Sequence, residues 1–144
     1  MVKLAEKLHY VDLGNAESGV SKSMEEMEND ADSEEKIKRL IRELLTRIAI
    51  HPKVSGYRHL TEAVYIVYKN PQFIKSLNQY VFAEIAEKNG YASKQSITVA
   101  IRYAILASKK EHADLDFWKN FNGDVTTKNV IARLVQELTN IFQE

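Results

Sequence analysis

The side chains with the most chemistry to offer lie between residues 93 and 110. Ser93 precedes "KQSITVAIRYAILASKK", where the helical spacing of Ile97, Ile101, Ala104 and Ile105 turns one side inward. The other side carries Gln95, Thr98, Val99, Arg102 and Leu106. These side chains suit the edges of base pairs in a DNA major groove. A guanidinium spans guanine O6 and N7, an amide or hydroxyl meets polar edges, and a valine meets a thymine methyl. Lys94, Lys109, Lys110 and the N–H groups behind a Ser93 cap would hold phosphates. "EIAEKNG" just before adds a short helix with small Ala86 and a turn at Gly90. The segment therefore has the outline of a helix-turn-helix.

Chemistry of the enzymatic kind is missing from the pattern. His9, His51, His59 and His112 are scattered, and none forms HExxH or another metal spacing. No Walker loop, GxGxxG or GxSxG occurs. His51 and His59 flank "HPKVSGYRH" and read as helix-end or solvated histidines before they read as metal or phosphate ligands. The acids of "MEEMENDADSEE" lack the ordered calcium-loop ligands and their Gly turn, so they read as a solvated run. There are no cysteines, hence no disulfide framework and no thiolate site. The expectation is a non-enzyme with no catalytic residue, no metal and no cofactor.

The elements that must position this face are helical. A chain of 144 residues is one domain with a tail, long enough to bury a core. Residues 1–35 hold three lysines against ten acids, a net of −7, and residues 36–144 hold 17 bases against ten acids, a net of +7. Such a split fits a nucleic-acid-binding body with an acidic tail, as well as a solvated tail beside a mildly basic domain. Residues 11–35 are rich in Ser, Asp and Glu and poor in large apolar side chains, too poor to offset their ordering entropy. An acidic, largely flexible arm is therefore expected over residues 1–33, and a helical domain over 34–144. In that domain Ile37, Leu40, Ile41, Leu44, Leu45 and Ile48 mark a first helix, with Ser33 as its N-cap. Leu60, Ala63, Val64 and Val67 mark a second. A third stretch runs from Pro71 to Lys88, with a break near Leu77–Gln79, and Asn89-Gly90 stops it. Ser93 caps the next helix, "EHADLDFWKNF" is a short helix or turn, and Thr126 or Thr127 caps a last helix with Val130, Ile131, Leu134, Val135, Leu138 and Phe142. No period-2 strand appears, so the fold class is all-α. No apolar run approaches the ~20 residues of a membrane span, and the N-terminus lacks a secretory signal. A cytoplasmic protein without a membrane partner is expected.

"SGYRHLTEAVYIV", "EIAEKNG", "AIRYAIL" and "FWKNFNGDVTTKNVIARLVQEL" follow in that order. Together they resemble the C-terminal DNA-binding effector domain of the stage zero sporulation protein A family, over roughly residues 37–142. Gly56, Tyr57, Leu60 and Ala63 match its Gly-Tyr segment. Glu84, Ile85 and Ala86 match its Glu-Ile-Ala helix, and Ala100 to Ile105 match its recognition helix. Phe121, Gly123, Thr127 and Asn129 meet its closing segment. The resemblance implies a compact bundle of about six helices that inserts one helix, about residues 93–109, into the major groove. It also implies a sequence-specific transcriptional regulator of spore-forming bacteria, bound to double-stranded DNA as a homodimer or as tandem copies. The family usually carries Glu-Arg where this chain has Thr98 and Val99, so of its base-reading side chains Arg102 is kept and the family's DNA box need not be. The turn "NGYAS" looks one residue longer than the family's. The residues before the effector-like region are too few for a receiver domain, which needs about 120. Control is accordingly expected from expression, from a protein partner, or from the acidic arm. The alternative reading is a protein-interaction module or antagonist that keeps the fold and has lost specific DNA reading, since Val99 and Leu106 also suit a protein interface.

If the acidic arm competes with phosphates for the basic body, removing residues 1–33 raises affinity for non-specific DNA. The gain is larger at low salt, because screening cuts the attraction beyond about 8 Å at physiological ionic strength. Filter binding at two salt concentrations checks this; equal or weaker binding by the shortened chain refutes it.

Overall fold

The computed structural model describes residues 24–90 and 93–143, with side chains from residue 31 onward. Among the described residues six α-helices follow one another: α1 (Met24–Arg47), α2 (Ser55–Lys69), α3 (Ala83–Asn89), α4 (Lys94–Glu111), α5 (Asp116–Lys119) and α6 (Thr127–Gln143). A 3₁₀ turn (Pro71–Ser76) and a π turn (Asn78–Phe82) join α2 to α3. No strand occurs among the described residues, and the fold is the all-α bundle its apolar periods predict.

Helix α1 is already formed from Met24 on, so Ser33 lies inside it and does not cap it. The Glu, Met and Ala residues before Ser33 are strong helix formers and let the helix run on. The boundary expected at residue 33 thus falls within a continuous helix, while residues 1–23, most of the expected arm, lie outside the described residues. Among side chains from residue 31 onward, Ile37 is the first buried one. At its other end α1 closes with a pair of reversed hydrogen bonds. Ile50 N donates to Leu45 O at 2.9 Å and Ala49 N to Thr46 O at 3.0 Å. This is a Schellman motif, with buried Ile50 packed back over buried Leu45. The motif requires a left-handed residue, and Ala49 takes it at φ 64°, a conformation that strains a residue bearing Cβ.

The second helix is the central post. It buries Gly56, His59, Leu60, Thr61, Ala63, Val64, Ile66 and Val67, which is more than one stripe, as expected of a helix enclosed by others. It packs against α1, α4 and α6. Lys38 of α1 reaches Glu62 of α2 at 3.1 Å and Glu34 at 3.0 Å, and lies over the Tyr65 ring at 5.1 Å. Pro71 then forbids continuation: Asn70 adopts φ −136°, ψ 77°, outside the helical region that a following proline disfavours. The break expected near Leu77–Gln79 is real, and there the chain changes from a tight turn to a wide one. The wide turn brings Val81 and Phe82 into the core one after the other. Thr126 Oγ1 accepts from Asn129 N at 3.1 Å and caps α6, as one of its two expected caps.

Helices α2 and α4 approach closely at Gly56. A Cβ placed on Gly56 would lie 2.3 Å from Ala100 O and 2.8 Å from Ala104 Cβ. Glycine in a helix ordinarily costs about 1 kcal/mol relative to alanine, but here the sign reverses, since the backbone of α4 must move to admit a methyl. Gly56→Ala is expected to lower the unfolding free energy by about 1–3 kcal/mol through overpacking. Ala49→Gly, which relieves the left-handed strain, is expected to raise it by about 1 kcal/mol. Urea titration of both variants checks the opposite signs.

Candidate nucleic-acid interface

A supporting helix, a turn and a long second helix come together at α3, Gly90 and α4. Buried Ile85 ties α3 to the core, with Ala86 partly buried beside it. Gly90 ends α3 at φ 67°, its N–H on Ala86 O at 3.0 Å. Tyr91 and Ala92, and with them the extra turn residue expected from the sequence, lie outside the described residues. Ser93 then caps α4 as expected. Its Oγ accepts from Ser96 N at 3.0 Å, and Ser96 Oγ accepts from Ser93 N at 3.1 Å. This is a reciprocal capping box built from two serines. It leaves the N–H groups of Lys94 and Gln95 without an intrahelical acceptor at the positive end of the helix dipole.

Ile97, Ile101, Ala104, Ile105 and Ser108 face the core. Measured from Gln95 at ~100° per residue, Val99, Arg102, Leu106 and Lys109 fall within about 40°, and Thr98 and Lys110 within about 60°. The expected reading residues therefore share one face. Gln95, Val99, Arg102 and Leu106 are exposed along it, while Thr98 is half-buried at its edge. The Thr98 hydroxyl donates to Lys94 O at 2.9 Å, which leaves it lone pairs and no proton for a ligand. Exposed Lys94 stands at the head of the helix, and exposed Lys109 and Lys110 in its last turn. There they complement the negative end of the dipole, about 23 Å along the axis from Lys94. No acid occurs in α4 before Glu111.

Several contributors were not foreseen. Tyr103, 64 % exposed, stands beside Val99 at 58 % and Leu106 at 49 %; an inward-facing neighbour, Ala104, had hidden how far residue 103 turns outward. Gly56 sets the first turn of α2 against Ala100, and its sequence neighbours Lys53, Ser55 and Arg58 are exposed. The glycine two or three residues from these cations was the available signal. Ser108 is the third. It donates to Ile48 O and accepts from Trp118 Nε1 at 3.0 Å, so one buried hydroxyl ties α4 to the end of α1 and to α5. Nothing local in "LASKKE" marks it.

His51 is exposed, with Nδ1 accepting from Lys53 N at 3.1 Å. His59 is buried. Desolvation, aided by the Arg58 charge and opposed by Glu62, holds its pKa below the ordinary 6.5. Among the described residues no group of three or more His, Asp or Glu is placed to hold a metal ion.

A family model described as "sporulation initiation factor Spo0A C terminal" matches residues 41–138. The match starts inside α1, takes in all of α4 and ends near the close of α6. No curated protein matches the chain.

Loss of the Ser108 hydroxyl leaves the Trp118 N–H and the Ile48 carbonyl buried without their partner. Ser108→Ala is expected to cost about 1–3 kcal/mol, read from denaturation followed by Trp118 fluorescence. Ser108→Thr, which restores a hydroxyl, should recover part of the loss; a neutral Ser108→Ala would refute the anchoring role.

Proposed function

The chain belongs to the family of sporulation initiation factor Spo0A C-terminal domains, which makes it a DNA-binding regulatory domain, and we propose that α4 is its reading helix. The family is regulatory and not enzymatic. No helix among the described residues is long and apolar enough to cross a membrane. The observation that carries the proposal is the exposed, acid-free face of α4 joined to a capped N-terminus.

On this reading Arg102 forks onto a guanine at the centre of the face. Gln95 adds a polar edge contact, and Thr98 accepts from a base amino group with its remaining lone pairs. Phosphates are held by Lys94 and the N–H groups behind Ser93, with Lys109 and Lys110 reaching the backbone at the far end. Lys53 and Arg58 extend the positive surface along one flank. Homodimeric or tandem binding, and an acidic arm over residues 1–33 that covers the basic face or engages a protein, complete the proposed assembly. A second reading, a partner-binding module that no longer reads DNA, draws on the exposed Val99 and Leu106.

Sequences selected from a random DNA pool by the unmodified protein supply the test site. On that site Arg102→Ala is expected to cost about 1–3 kcal/mol and to relax the preference at one position. Lys94→Ala should weaken binding to every sequence and reduce the salt slope by about one unit. If no sequence is enriched at any salt, the partner-binding reading replaces this one.

A further inference from the structure

We infer that α4 reads thymine C5-methyl groups through an apolar stripe of Val99, Tyr103 and Leu106, so that its preferred box carries thymines at two or more positions around the base met by Arg102. The inference rests on the reading that α4 enters the major groove. Three of the four exposed large hydrophobics among the described residues are these three, at 58 %, 64 % and 49 % exposure. They lie within an arc of about 60°, and residues 99 to 106 rise about 10 Å along the helix, a length that spans about three base pairs at 3.4 Å each. Arg102 lies about 40° beyond one edge of that arc, so one polar contact borders an apolar surface.

The stripe commits to DNA because of its surroundings. Lys94 stands before it, Arg102 beside it, and Lys109 and Lys110 after it, with no carboxylate on the helix until Glu111. A polyanion with apolar groups displayed between its charges is the complement, and thymine is the base that displays a methyl in the major groove. Pressed against cytosine, the same side chains would cover the N4 amino donor and offer it no acceptor, which costs free energy. The stripe therefore selects for thymine and rejects cytosine at the positions it covers. Tyr103, on the flank, lays its ring beside a methyl and keeps its hydroxyl for the backbone.

The experiment uses the full chain and its pool-selected site, with each thymine replaced in turn by deoxyuridine. That change removes the C5-methyl and keeps base pairing. Affinity is expected to fall about fourfold for each methyl in contact, the worth of one buried methyl-sized group, at two or more positions. Val99→Ala, Tyr103→Ala and Leu106→Ala are each expected to erase the deoxyuridine effect at one position; being exposed and mutated to the best helix former, they leave folding intact, which circular dichroism verifies. Specific binding that is indifferent to every deoxyuridine overturns the inference and leaves DNA reading by α4 standing. Deoxyuridine effects unchanged in all three variants overturn it too, since other groups would be meeting the methyls. Failure to select any site overturns both this inference and the reading beneath it, and a protein partner becomes the occupant of the stripe.

Discussion

Where α2 crosses α4, Gly56 leaves no side chain between the two helices, and its position faces the Ala100 carbonyl and the Ala104 methyl. Contact between backbones fixes a distance more tightly than contact between long side chains, which can change rotamer to absorb a shift. The crossing therefore sets the height and rotation of α4 relative to the post formed by α2. Since α1 and α6 also pack on α2, every large helix is referred to the same element. A surface meant to meet a rigid partner needs that kind of support, because small misplacements at the first shell are costly.

Two further constraints hold α4 along its length, and they differ in kind. At the head, the Ser93–Ser96 box is local and forms with the helix itself. Near the tail, Ser108 joins Ile48 and Trp118 across 60 and 10 residues of sequence, so it closes only when the core closes. The long-range anchor gives the helix its place in the bundle, and the local cap gives it a defined start. Between them lies the glycine crossing. A helix started at a fixed residue and held to the bundle at its middle and tail presents its outer face in one orientation.

Much of this was legible in the chain, for identifiable reasons. The apolar periods of α2, α4 and α6 are long and regular, so their buried faces followed from spacing alone. Ser93 and Thr126 were legible because capping uses few residue types in fixed geometry. Gln95, Val99 and Arg102 followed once Ile97 and Ile101 were placed inside. The start of α1 was not legible, because Ser33 looks like a cap and an acidic run looks solvated, while the same glutamates are good helix formers. Tyr103 was obscured by its inward neighbours. The partners of Gly56 and Ser108 are set by tertiary contacts between distant segments, and no local pattern encodes those.

The two sides of α4 share no residue. Ile97, Ile101, Ala104, Ile105 and Ser108 are committed to the core, and Gln95, Val99, Arg102, Tyr103 and Leu106 are committed to solvent. Surface substitutions away from special features usually shift stability by no more than about 0.5 kcal/mol. What the outer face presents can therefore drift while the domain that carries it stays folded. In evolutionary terms the address and the chassis are inherited on interleaved positions of a single helix, and selection can rewrite the first without reopening the second.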